Sequence, residues 1–132
     1  MSAFIAEVEN KPGELARVAE AVAAKGANIT SASTLAWGDK GAVGLLTDDE
    51  SGTRQALDEG GFQYRETETV TFRLEDRPGR LAEASRRLAA AGVNIEFLVP
   101  TGMAGGEVTI AAAVDQVASA REALRELVVA GS

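Results

Sequence analysis

Asn10-Lys11-Pro12-Gly13-Glu14-Leu15-Ala16 returns as Asp76-Arg77-Pro78-Gly79-Arg80-Leu81-Ala82, and this doubling decides how the chain is read. The offset, 76 − 10 = 66, is half of the 132 residues. The match runs on without a gap. Val8 answers Leu74, Val22 answers Leu88, and Gly26-Ala27-Asn28-Ile29 answers Gly92-Val93-Asn94-Ile95. An internal repeat is weighed before any local pattern, so the chain reads as two copies of one module, residues 1–67 and 68–132.

Working outward, each copy predicts the same elements. Phe4, Ala6 and Val8 alternate as a strand. Pro12-Gly13 opens a helix, because proline's missing N–H is no loss in a first turn. Leu15, Val18, Ala19 and Val22 form its inward stripe, and Gly26 stops it. Residues 28–37 follow as a strand with Ile29, Leu35 and Trp37 at even spacing. Gly38-Asp39-Lys40-Gly41 turns into a strand over residues 42–47. Asp48-Asp49-Glu50-Ser51 starts a second helix, and residues 62–66 are a fourth strand. In the second copy Val70, Phe72 and Leu74 alternate, then Leu81, Ala84, Ser85 and Leu88 make the helix stripe. Ile95, Phe97 and Val99 form a strand ending at Pro100, and residues 101–106 a flexible hairpin. Val108, Ile110, Ala112 and Val114 alternate again. Asp115 caps a last helix with Val117, Ala120, Leu124 and Leu127 inward. Strand, helix, strand, strand, helix, strand is the split βαβ order: a four-stranded antiparallel sheet with both helices on one face. In copy two only Val128-Val129-Ala130 remains for the last strand, a stub at best. An open sheet edge invites another chain, so a homodimer is expected.

Composition removes several function classes. The 13 basic against 20 acidic residues give a net charge of −7, and no basic face suggests nucleic acid. There is no Cys and no His, hence no disulfide, no thiolate metal site and neither of the commonest nucleophile–base pairs. No apolar run reaches the length of a membrane span, and no signal-peptide pattern opens the chain; a cytoplasmic location is expected. Modules of this size bury only ~60% of their unfolded surface, so the two are expected to pack on each other and on another chain.

The doubled [Asn/Asp]-x-Pro-Gly-x-Leu, helix, Gly-x-Asn-Ile pattern on this element order resembles the ACT domain. The resemblance covers residues 2 to about 127. It implies an α+β fold of two ferredoxin-like βαββαβ modules, and a non-catalytic, regulatory protein that holds an amino acid or similar small ligand between modules. The implied partner is a regulated enzyme or transcription factor; no cofactor, metal or catalytic residue is expected. Carried over residue by residue, the ligand site comprises Asn10, Pro12, Gly13, Leu15, Asn28 and Ile29. Its pseudo-symmetric copy comprises Asp76, Gly79, Leu81, Asn94 and Ile95. Free N–H groups at the helix start would meet a ligand carboxylate, while Asn10 or Asp76 would take its ammonium or amide.

Plainer readings stand beside these. Asn and Asp are good N-caps, and Asn suits a helix-to-strand turn. Ile29 and Ile95 belong to the core. Trp37 reads as a half-buried hairpin end. Asp48-Asp49-Glu50 lacks the pattern of a cation loop. Two alternatives to the sensor remain: a dimeric interaction module without a working ligand site, and an acylphosphatase-like enzyme pairing Arg17 or Arg80 with Asn28 or Asn94, which rests on fold analogy alone.

Overall fold

The computed structural model describes residues 1–130. Among them the order is β1 (Ser2–Glu9), α1 (Glu14–Ala24), β2 (Ile29–Trp37), β3 (Lys40–Thr47), α2 (Glu50–Glu59), β4 (Gln63–Glu75), α3 (Arg80–Ala90), β5 (Ile95–Ala104), β6 (Glu107–Val114) and α4 (Val117–Ala123). The chain divides into two compact units. One is Ser2–Glu66; the other is Met1 with the residues from Thr67 onward.

In the first unit β3 pairs antiparallel with both β1 and β2. Phe4 and Val8 of β1 and Val43 and Leu45 of β3 meet Val18 and Val22 of α1 and Ala56 and Leu57 of α2 in one core. The stripe of α1 is rotated from expectation. Glu14, Val18 and Val22 are its buried face, and Leu15 is 44% exposed. Glu14, Val18 and Val22 follow one another at i, i+4, i+8 on one face, and Leu15 falls about 100° around the helix from it. α2 starts as its acidic run implies: Asp49 is the N-cap, its carboxylate accepting from Gly52 N at 2.9 Å.

β2 departs from simple alternation. A register shift between Ile29 and Ser31 lets Ile29 pack on the core while Leu35 and Trp37 face the other side. A bulge inserts one residue and flips every side chain beyond it. Trp37 is therefore 90% exposed and Leu35 76%, which corrects the reading of Trp37 as half-buried.

In the second unit β6 pairs antiparallel with β4 and β5. Val70, Phe72 and Leu74 meet Ala84, Leu88, Ile110, Ala112, Ala120 and Leu124. β5 does not stop at Pro100; it runs to Ala104 with register shifts at Ile95/Phe97 and Pro100/Gly102. Proline is tolerated there because β5 is an edge strand, paired among the described residues with β6 alone. The hairpin closes on Gly105-Gly106, both at positive φ (59° and 78°), a two-residue turn that only glycine accepts readily. The expected stub is one antiparallel bridge, Phe72 to Val128, flanked by Arg73 N to Leu127 O and Val129 N to Thr71 O, both at 2.9 Å.

β4 is one strand of 13 residues, where the sequence suggested two. Residues 63–75 contain no Gly or Pro, so nothing interrupts extended backbone at the repeat boundary.

Candidate functional site

The loop before α1 is fixed by its neighbour hairpin. Asn10 N donates to Asp39 O at 3.0 Å, and Asn10 Nδ2 donates to Gly38 O at 2.8 Å. Asn10 is therefore no N-cap. That position belongs to Gly13, at φ 91°, and no side chain caps the helix. Pro12 lies outside the helix, two residues before Glu14. Gly13 needs its left-handed backbone, and a Cβ there would meet nothing within 4 Å, so the space over the helix start is open. The second copy repeats this geometry. Gly79 caps α3 at φ 88° without side-chain help, again with open space above it. Asp76 N donates to Gly106 O at 2.8 Å, but its carboxylate cannot copy the Asn10 amide bond because it carries no donor. Leu15 and Leu81 (47% exposed) stand free beside these openings.

Asn28 and Asn94 are held by backbone rather than side chain. Asn28 N donates to Asp48 Oδ1 at 2.8 Å, and Asp48 N donates back to Asn28 O at 3.0 Å. Asn94 N and Asp115 Oδ1 repeat the bond at 2.8 Å, with the return bond at 3.2 Å. Asp115 is thus no helix cap; Gln116 occupies that position. Both aspartates brace the turns that carry these candidate residues, a correspondence that the ungapped repeat conceals. Their offset is 115 − 48 = 67, because the irregularity at Pro100/Gly102 adds a residue. Allowing one insertion in the hairpin would have found them.

The expected residues of each copy do not converge within their own module. Asn10, Pro12, Gly13 and Leu15 lie where α1 starts, beside the β2–β3 turn. Asn28 and Ile29 lie where β2 starts, beyond the far end of that 11-residue helix, about 16 Å away. Asp76, Gly79 and Leu81 are likewise separated from Asn94 and Ile95 by α3. Ile29 and Ile95 are partly buried against their cores. The same separation keeps Arg17 from Asn28, and Arg80 from Asn94, within one module, since both arginines belong to the helix starts.

Each unit also has a cavity beside its first helix, at equivalent positions. The first, 280 Å³, is lined by Glu7, Glu9, Glu14, Arg17, Lys40 and Phe62, among others. Glu14 is only 6% exposed; its carboxylate accepts from Arg17 Nε at 2.8 Å and Glu9 N at 3.3 Å. The Arg17 bond holds the carboxyl below its usual range against the opposing effect of burial. Arg17 also lies 4.3 Å over the Phe62 ring. The second, 160 Å³, is lined by Arg73, Glu75, Arg80, Glu83, Arg87, Glu107 and Glu126 with Leu74, Ala84 and Leu127. Four of its charges reverse those of the first, while Glu75 keeps the sign of Glu9. Glu7 becomes Arg73, Glu14 becomes Arg80, Arg17 becomes Glu83, and Lys40 gives way to Glu107. Arg80 Nη1 pairs with Glu83 at 2.8 Å, the inverse of the Glu14–Arg17 pair. Arg87 holds Glu126 and donates Nε to Ala123 O at 2.9 Å.

Similarity to known proteins follows the repeat. No curated protein matches the chain. Among solved structures, protein BT0572 from Bacteroides thetaiotaomicron has 23% sequence identity and a TM-score of 0.77; the alignment covers 97% of this chain and 90% of that one. The ligand-free regulatory subunit of aspartate kinase from Thermus thermophilus has 16% identity and a TM-score of 0.65, covering 96% and 90%. The corresponding subunit from Thermus flavus has 20% identity and a TM-score of 0.64, covering 95% and 91%. At these identities the likeness establishes the fold. The family model described as an ACT domain pair matches residues 1–129, nearly the whole chain, with both glycine-opened helices inside it. The chain belongs to the ACT family, as an ACT domain pair.

Proposed function

We propose that this protein is a non-catalytic amino-acid sensor that works as a homodimer. The ligand lies at a seam where the helix opening of one module meets the β2 start of another. The observation that carries this reading is the pair of uncapped helix starts on left-handed glycines, each under open space. Their first-turn N–H groups suit a carboxylate, and Asn10 stands beside them. Because Asn28 and Ile29 lie at the far end of the same module, a site using both groups needs two modules.

The edges of the two units indicate which modules meet. β2 spans nine residues, Ile29–Trp37, with no charged residue and no proline, and it exposes Leu35 and Trp37. β5 carries Pro100 and two register breaks, the devices that blunt an edge. Antiparallel pairing of β2 with β2 of a second copy would set Ile29 opposite the partner's Trp37. Asn28 then falls beside the partner's Asn10–Gly38 loop. The working site is accordingly assigned to Asn10, Gly13, Leu15, Asn28 and Ile29. Asp76, Gly79, Leu81, Asn94 and Ile95 form its pseudo-equivalent behind a broken edge. Both Thermus neighbours are regulatory subunits, which supports a regulatory role; an enzyme or a transcription factor is the expected target.

A thermal-shift screen against the twenty amino acids tests the proposal. A ligand at a hundred times its Kd adds ~2.7 kcal/mol of stability. One responsive amino acid is expected, lost in the Asn10→Ala/Asn28→Ala double variant. Trp37, the sole tryptophan, reports the seam: its emission should shift to the blue as concentration drives dimerisation. Silence across the panel with the Trp37 shift intact would replace the sensor by a pure interaction module, which the exposed Leu35 and Trp37 equally suit.

A further inference from the structure

The hairpin turns of the two units are tied down differently. In the first unit Asn10 holds two successive carbonyls of the β2–β3 turn. Its backbone N–H donates to Asp39 O at 3.0 Å, and its amide Nδ2 donates to Gly38 O at 2.8 Å. Trp37 directly precedes that turn. In the second unit the backbone bond is kept, Asp76 N to Gly106 O at 2.8 Å, but a carboxylate has no donor for a second carbonyl. The Asn10 amide bond is exposed to solvent, so it contributes little to the stability of its unit. What it fixes is the place of the turn.

The side chains that the two hairpins carry differ in step with this bond. Strand register makes the positions comparable. Trp37 lies opposite Lys40 and, through it, Glu9; Ala104 lies opposite Glu107 and, through it, Glu75. Leu35, opposite Ala42, likewise corresponds to Gly102, opposite Thr109. The hairpin with the amide bond therefore presents Leu35 and Trp37 bare to solvent, and the hairpin without it carries Gly102 and Ala104. Met103, exposed between those two, faces the other side of its strand. The side-chain tie and the exposed apolar pair occur together in one module and are missing together in the other.

We infer that Asn10 is a positioning residue for the contact between two copies of the chain: its amide sets the β2–β3 turn so that Leu35 and Trp37 meet the partner's β2 edge. This role rests on the homodimer proposed above and needs no ligand. It is carried by Nδ2 and is separate from any contact Asn10 makes with a bound molecule. Without the amide bond the turn spends part of its time out of place, and apparent affinity falls with the fraction that stays competent. Two hairpins meet in the dimer. If each is in place about a third of the time, the dimer Kd rises about tenfold.

Sedimentation velocity on a dilution series of the full-length protein measures that Kd, with Trp37 emission followed in the same samples. Asn10→Asp keeps the size and shape of the side chain but cannot donate to Gly38 O, and it should raise the dimer Kd about tenfold. Asn10→Ala should do the same, which assigns the loss to the missing donor and not to the added charge. Tyr64→Phe removes an exposed side-chain hydrogen bond elsewhere in the same unit, to Asp58 at 2.7 Å. It should leave the dimer Kd within about twofold of the parent. A parent that dimerises with a Kd that neither Asn10 variant moves would overturn this role and leave the homodimer standing. An equal loss in Tyr64→Phe would also overturn it, since general stability would then be the cause. A parent that stays monomeric at every concentration would remove the homodimer and this role together.

Discussion

The openings of α1 and α3 share a backbone and differ in charge. Both start on a left-handed glycine, both leave their first turn uncapped, and both tie residues i and i+3 by an ion pair at 2.8 Å. In α1 the acid comes first and is buried; in α3 the base comes first and keeps an orphaned nitrogen. The pair itself is what the fold retains, and its direction is free to vary. A duplicated module can thus hold its scaffold constant while it changes what a cavity offers.

Seven variants would break or sharpen this comparison. The largest effect is expected in the shared scaffold. Leu88→Ala empties a fully packed site under α3 and should cost about 2–5 kcal/mol in urea unfolding. Val22→Ala, its counterpart, should cost less because it removes less side chain; equal losses would mean that the two cores tolerate cavities differently. Next comes the direction of the pair. Glu14→Arg places two arginines on one turn and leaves the Glu9 N–H without its acceptor, which should lower Tm clearly. Glu14→Arg/Arg17→Glu restores a pair in the α3 sense and should recover most of that loss. Recovery should stay incomplete, because the Arg17 stacking on Phe62 disappears. No recovery would refute the claim that direction is free.

Smaller and equal effects are expected at the glycines. Gly13→Ala and Gly79→Ala force an L-residue to φ 91° and 88° with open space for the new methyl, so backbone strain alone acts, about 1–2 kcal/mol each. Unequal costs would show that the two helix starts are not the same structure. The smallest effect lies in pH. Arg87, aided by the backbone N–H of Glu126, holds the Glu126 carboxyl down to about 2 from an ordinary 4.5. A depressed folded-state pKa contributes stability that is full above pH 4.5 and is lost as pH falls toward about 2. Glu126→Gln should therefore lower Tm modestly at pH 7 and flatten the acid limb of the Tm–pH profile, the variant and the parent converging as pH falls toward about 2.

Much of the fold was legible because the repeat supplied two readings of each element. Hydrophobic alternation located Phe4 and Val8 and the Val70–Leu74 face correctly, and the Asp49 cap followed from its acidic run. What escaped the sequence depended on single-residue irregularities. The bulge after Ile29 turns Leu35 and Trp37 outward, and the irregularity at Pro100 moves Asp115 out of alignment with Asp48. Periodicity cannot register an inserted residue that preserves composition. The α1 stripe held at Val18 and Val22 and missed in its first turn, where Glu14 rather than Leu15 takes the inner face because its carboxylate has partners in Arg17 and the Glu9 N–H. The residues proposed for the site were nameable through the motif. That Asn10 and Asn28 stand at opposite ends of α1 emerges only once the helix has a length and a direction. The exchange of Glu14-Leu-Ala-Arg17 for Arg80-Leu-Ala-Glu83 was visible in the repeat, but burial gives it meaning.

The Asp48 bracket around Asn28 has an entropic consequence. Two hydrogen bonds to backbone atoms immobilise the helix-to-strand turn. The Asn28 amide has no partner of its own among the described residues, so it extends from fixed main chain as a single rotor. Engaging it would freeze little more than that rotor, a loss of about 0.5–1.5 kcal/mol, whereas an unbracketed turn would also surrender backbone freedom of about 1–2 kcal/mol per residue. The aspartate thus completes the ordering of the turn when the chain folds, leaving less to be ordered when a ligand arrives.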